Sequence, residues 1–413
     1  MASPEDQGIS RQSWHVRTRL AEFNMVAPVV TTNNRDQCSA SAGRLKKGEL
    51  NVLSIFHSGP LFREPQRVIL EGMHPVSRGH RIHYKVVGNN AGKPVVYLHG
   101  GPGRGIDHSI WSFFNPRKYR IILIDQRGAG ESTPRGSIDY NTTGDSVQDL
   151  ECIRILLGVD KWMMFGIGSG TFLARAYAQE HPENVSEIVM AGVISFSPRE
   201  IDWLFRYGAS EHFPDAWANF ARPMVTTPKS GLEKLLQRVR GNQPTTPGQW
   251  FLRPACDMTL VKLYHQLITS GTEEEQHQAV RAWTDWENTV CGDAKRSADG
   301  PAYEQAAVVA KIASYYFLNG GFIKPEEMAK GLNVIRAHRI PCVIVHGEND
   351  TVSPIAHLME LVKAWPEAKL IRVPGAGHSL VDTRIQRALV DVTEELGGCG
   401  CRFKFGERHK EEK

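Results

Sequence analysis

KWMMF-GIGSG-TFLARAYAQ, residues 161–179, decides how the rest of the chain is read. The apolar run from Trp162 to Phe165 has the composition of a buried strand, and the Ala- and Leu-rich run after the glycines favours helix. A strand and a helix joined by a glycine-dense turn is the setting of a nucleophile elbow, G-x-nucleophile-x-G. Only one frame fits. Gly166 and Gly170 flank Gly168, so the position of the attacking side chain holds a glycine. Ser169 comes one residue late, between Ile167 and Thr171 on its own flanks.

Outward from this turn, strand-like and helix-like runs alternate. Val68 to Glu71 and Arg81 to Val87 read as a first antiparallel pair, and Asn89 to Gly92 as a turn. Pro94 to Leu98 is short and wholly apolar, as inside a parallel sheet covered on both faces. It runs into His99-Gly100-Gly101-Pro102-Gly103, whose glycines let backbone N–H groups approach a ligand oxygen. In such an architecture this loop supplies one oxyanion-hole N–H, here near Gly101, and the residue after the elbow supplies the other, here Ser169. Arg120 to Ile124 is the next buried strand; Asp125 and Arg127 beyond it have a structural role, tying loops together by charge-assisted hydrogen bonds. Asn141-Thr142-Thr143 caps a helix through Leu157.

After a strand at Ile188 to Met190 the alternation breaks. Residues 196–334 are rich in Trp, Arg, Glu and Gln, and read as a helical cap inserted in the core. The core resumes at residues 335–397, with strands at Cys342 to Val345 and Leu370 to Val373. The first ends before Asp350 and the second before Gly375-Ala376-Gly377-His378-Ser379. The expected class is α/β, a mainly parallel sheet with helices on both faces, whose ligands sit at the carboxyl ends of the strands. His99, Gly168, Asp350 and His378 all fall just past such ends. Residues 1–60 read as a loose extension, 61–195 as the first part of the core, and 398–413 as a charged tail.

Composition narrows the partners. The 413 residues carry a formal net charge of +4, which does not point to nucleic acid. No apolar run reaches the roughly 18 residues that span a bilayer, so no membrane partner is expected. Seven scattered cysteines read as reduced thiols of an intracellular protein, and the Cys399-x-Cys401 pair alone makes no metal site. The N-terminal arginines and serines resemble a mitochondrial leader, but Glu5, Asp6 and Glu22 argue against one; the expected compartment is the cytoplasm. No cofactor is called for, and the expected partner is a small-molecule substrate.

H-G-G-P-G, D-Q-R-G-x-G-x-S, the elbow, H-G-x-x-D and G-A-G-H-S stand here in the order and spacing of proline iminopeptidases. The chain resembles that family, α/β-hydrolase-fold serine peptidases that remove N-terminal proline, over roughly residues 65–395. The resemblance implies a triad of elbow serine, Asp350 and His378. It also implies acidic cap residues that read the substrate amine. One matches Glu287, after Trp283 and Trp286; the other position is Ala313. His99, Gly100 and the aromatic Trp203, with Phe205 and Tyr207, are further candidates for the pocket.

Two departures from the family set the functional expectation: the serine aligns with Gly168, and one carboxylate of the amine clamp is absent. A histidine base, an acid to orient it and an anion hole of backbone N–H groups remain. That set suits proton abstraction beside a carbonyl, as in elimination, isomerisation, C–C cleavage or cyclisation. Two alternatives stand beside it: a proline iminopeptidase carrying an inactivating Ser-to-Gly replacement, and a ligand-binding pseudoenzyme.

Overall fold

The computed structural model describes residues 61, 67–226, 259–292, 296 and 298–398, all within the compact unit Ile55–Lys413. The N-terminal extension, the loop-like stretch Asn242 to Gly248 and the tail with Cys399 and Cys401 lie outside the described residues.

Eight strands form one sheet: β1 (Val68–Pro75), β2 (Arg81–Gly88), β3 (Lys93–Leu98), β4 (Tyr119–Ile124), β5 (Trp162–Ile167), β6 (Val185–Ala191), β7 (Cys342–Gly347) and β8 (Lys369–Val373). Their spatial order is β1-β2-β4-β3-β5-β6-β7-β8. β1 and β2 pair antiparallel, as do β2 and β4; every later neighbour is parallel. The parallel strands are apolar on both sides because both faces are covered. Val96, Leu98, Met164, Ile188 and Ile344 face one core, and Val95, Tyr97, Met163, Phe165, Val343 and Val345 the other.

Helices α1 (Thr143–Leu156) and α2 (Gly170–Glu180) cover the first face, and the second is covered by the helix Thr383–Leu396. α1 starts at Thr142 through a capping box with Asp145, worth about 1 kcal/mol. Between β6 and β7 lie α3 (Pro198–Phe205), α4 (Ala209–His212), α5 (Pro214–Thr226), α6 (Thr259–Ser270), α7 (Glu273–Cys291), α8 (Tyr303–Leu318) and α9 (Pro325–Ala337). The insertion extends the first core with aromatic rings: Phe220 stacks on Tyr264 and Trp286, and Phe205 on Trp283. α9 is different. Gln179 of α2 donates to the Met328 carbonyl at 3.1 Å, so α9 packs on the sheet's helical layer, and the boundary expected at 334/335 falls inside it. α10 (Ile355–Ala364) and α11 (Thr383–Leu396) complete the core. No helix among the described residues is long and apolar enough to cross a membrane.

Candidate active site

The turn between β5 and α2 is tight because α2 starts against the end of β3. A Cβ on Gly170 would lie 2.0 Å from the Leu98 carbonyl oxygen, so no side chain fits there. Thr171 locks the turn from behind: its hydroxyl donates to the Gly168 carbonyl at 2.6 Å and accepts from the Ile194 amide at 3.0 Å. Gly168 sits at the apex with φ +53, a left-handed conformation that glycine adopts without steric cost. A Cβ built on it would be 3.8 Å from His378 Nε2 and 3.7 Å from the Gly100 Cα. The apex thus faces the imidazole, with room for a Cβ in ordinary van der Waals contact with it. Ser169 does not take its place: among the described residues its buried Oγ has no hydrogen-bond partner, His378 included.

His378 follows β8 in a loop that returns to the end of β7. Its Nδ1 lies 2.8 Å from Asp350 Oδ2. Since Nδ1–H donates to that carboxylate, Nε2 is the basic nitrogen, and it points at Gly168. Asp350 Oδ1 accepts from the amides of Val352 (2.9 Å) and Ser353 (2.8 Å), so one carboxylate both turns the chain and orients the histidine. Burial works against ionising Asp350, but the His378 charge and these hydrogen bonds outweigh it and hold the carboxyl below its ordinary range. His346, wholly enclosed beneath, donates from Nε2 to the Ser353 carbonyl at 2.8 Å, and burial keeps its pKa low. The sequence reading missed this prop, although His346 opens the H-G-x-x-D motif.

The loop after β3 brings Gly100 and Gly101 beside Gly168. Among the described residues neither the Gly101 nor the Ser169 amide has a protein acceptor, and both residues line the same cavity as His378. His99, expected at the substrate, does not line that cavity. It is fully enclosed, donates from Nδ1 to the Gly100 carbonyl and accepts the Gln126 amide on Nε2, and burial keeps it neutral. It shapes the loop instead. Asp125 and Arg127 do tie loops together. Asp125 accepts from His83 Nδ1 and the Ile106 amide, and Arg127 binds Asp149, the Tyr140 carbonyl and Ser77.

The cavity, about 350 Å³, lies between the strand ends and the helical insertion. Its walls are largely apolar: Ile167, Ile194, Leu204, Phe205, Trp286 and Phe317 line it. Glu287 lines it too, with Oε1 on the Trp283 indole N–H at 3.0 Å. Two other candidates do not. Trp203 donates to the Thr351 carbonyl and packs on His357, so its ring supports the insertion from outside the cavity. Ala313 is fully buried on α8 and presents nothing to the cavity; its neighbour Ile312 packs under Gly103. The sequence reading also missed Arg104 and Arg296 on the cavity wall, which their positions in irregular segments concealed. Among the described residues no group of three or more His, Cys, Asp or Glu side chains could hold a metal ion.

This arrangement compares directly with known proteins. The family profile described as "alpha/beta hydrolase fold" matches residues 93–384. The chain is 38% identical over 330 residues to a proline iminopeptidase of Xylella fastidiosa (strain Temecula1 / ATCC 700964), an alignment covering 79% of this chain and 96% of the relative. It is 36% identical over 326 residues to a proline iminopeptidase of Arabidopsis thaliana, covering 78% of each. Among solved structures, a proline iminopeptidase-related protein of Thermus thermophilus is similar with a TM-score of 0.45 and 18% identity, over 80% of this chain and 96% of that one.

Proposed function

The chain belongs to the proline iminopeptidase family of α/β-hydrolase-fold proteins, and from that premise we propose that it is an enzyme turned to base-catalysed, non-peptidase chemistry on a small carbonyl compound. His378 Nε2 takes the proton from the carbon next to the carbonyl; the C–H electrons move into the enolate, and the new N–H bond sits on an imidazolium held by Asp350. The amides of Gly101 and Ser169 hold the enolate oxygen. The proton then returns to carbon, or a β-substituent or C–C bond leaves. No acyl-enzyme forms, because Gly168 has no side chain. One observation carries the reading: the His378–Asp350 pair is formed at 2.8 Å while the apex facing Nε2 is empty of any nucleophile. An ordinary serine hydrolase stripped of a triad member keeps only about 10³–10⁴-fold acceleration over water, so peptide hydrolysis is a poor use of this site. Incubation with a panel of 1,3-dicarbonyl and β-hydroxycarbonyl compounds, followed by mass spectrometry, tests the reading. Turnover lost in His378→Ala supports it; equal turnover in both proteins contradicts it.

A second reading has its own support. The space at Gly168 accepts a Cβ with no contact under 3.7 Å, so a serine has room there, at the cost of backbone strain at φ +53. Under this reading the chain is a proline iminopeptidase with its nucleophile replaced. Gly168→Ser would then cleave a prolyl chromogenic substrate at a rate typical of such enzymes.

A further inference from the structure

The carboxylate that would read a substrate amine is already engaged. Glu287 Oε2 lies 3.7 Å from Arg296 Nη2 and 4.0 Å from Arg104 Nη2, and its other oxygen takes the Trp283 indole N–H at 3.0 Å. The Glu287 side chain is 13% exposed and each arginine 34%, so the cluster is half-shielded from water and weakly screened. Arg104 is placed by the loop that carries the candidate oxyanion amide. A Cβ on Gly101 would lie 2.4 Å from Arg104 Cγ, so the arginine stem rests on the bare Gly101 backbone. The Gln305 side chain on α8 donates to the Arg104 carbonyl at 3.0 Å, pinning the loop to the insertion. Arg296 is fixed in turn, its Nε donating to Asn288 Oδ1 at 2.9 Å. Ala313 is fully buried off the cavity, so the second position at which the family carries an acidic residue offers no charge here.

The geometry points to Arg104 as the specificity-determining residue of this cavity: with Arg296 it occupies Glu287 and turns the pocket from substrates with a cationic amine to uncharged carbonyl compounds with an apolar body. An ammonium entering here would meet two guanidinium groups before it met the carboxylate, and like charges brought together reject a wrong partner. The apolar walls, Phe205, Trp286 and Phe317 among them, take the hydrocarbon part. The inference rests on the reading of this cavity as the substrate site but not on the proton chemistry assigned to His378.

A pair of near-isosteres tests it by equilibrium binding of the full chain. Prolinamide carries a ring ammonium; cyclopentanecarboxamide has a methylene in its place. The wild type is expected to bind the neutral amide about tenfold tighter. Arg104→Ala leaves Glu287 with Arg296 alone, opens its carboxylate on the Arg104 side and is expected to narrow that ratio, and adding Glu287→Gln to it is expected to restore the preference. His378→Ala should leave the ratio alone, so a failure of the base chemistry and a failure of this assignment are told apart. Tighter or equal binding of prolinamide by the wild type overturns the assignment. So does a ratio unmoved by Arg104→Ala in a protein whose thermal unfolding is unchanged, and so does no binding of the neutral amide.

Discussion

At the scale of single residues, the site depends on where His378 Nε2 points. Gly192, at the end of β6 with φ +58, forms the floor beneath the ring. A Cβ there would lie 2.7 Å from His378 Cε1, closer than real contacts allow. Gly192→Ala is therefore expected to push the imidazole off its line to Gly168 and lower turnover about 10²-fold, the usual cost of misplacing a catalytic group by about 1 Å. Steady-state kinetics with an unchanged circular dichroism spectrum checks it. Gly168→Ser works the other way. Its hydroxyl would stand one C–O bond beyond a Cβ already 3.8 Å from Nε2. The variant is expected to be labelled by a fluorophosphonate, seen as added mass on intact protein, and the wild type is not. Gly168, Asp350 and His378 were legible in the sequence because each belongs to a motif with fixed register after a strand. His99 was placed wrongly because a motif shows that a residue matters, not whether its ring faces ligand or loop. Arg104, Arg296 and Gly192 were hidden because their roles arise only when segments far apart in sequence meet.

At the scale of elements, two buried ionic groups hold the site's supports. Arg127, in the loop after β4, and Asp149 of α1 are enclosed together, with Nη2 to Oδ1 at 2.8 Å. Removing only the cation leaves a buried carboxylate, so Arg127→Ala is expected to cost about 3–5 kcal/mol in chemical denaturation, and a paired apolar replacement of both residues much less. Glu200, in the first turn of α3, caps the strand-to-insertion loop by accepting the Ser195 amide at 2.8 Å and the Ser195 hydroxyl. Burial pushes its pKa up to about 7 from 4.5, against the pull of Ser195 and Arg175. The folded state thus holds a proton that the unfolded chain releases above 4.5. Glu200 adds stability at acid pH that is lost as pH rises from about 4.5 to 7, a span of roughly 3 kcal/mol. Glu200→Gln is expected to remove that slope, raising the unfolding temperature at pH 8 and leaving it nearly unchanged at pH 4.5. The strands were easy to read because parallel, doubly covered strands are short uninterrupted apolar runs. The insertion was harder: its helices are amphipathic on several sides, and their aromatic contacts are set by packing rather than by period.

For the whole molecule, the sequence pattern carried the class and the place of the site, while pairing order did not show in it. Strand order β4-β3-β5 around the elbow follows from crossovers that bring β3 between β4 and β5, and no local signal records that. The result is that the segments after β3, β5, β6, β7 and β8 line one cavity under the insertion, so His378, Gly101, Ser169 and an apolar chamber meet at the turn whose apex is Gly168. Proton removal from carbon by His378 is read by exchange in heavy water without knowledge of the product. Incubated in D2O with cyclopentanone or a related apolar ketone, the wild type is expected to speed deuterium entry at the α-carbon, followed by NMR, and His378→Ala is expected to fall to the buffer rate. Equal exchange with both proteins, or a stable acyl adduct found on the wild-type chain, would contradict the account.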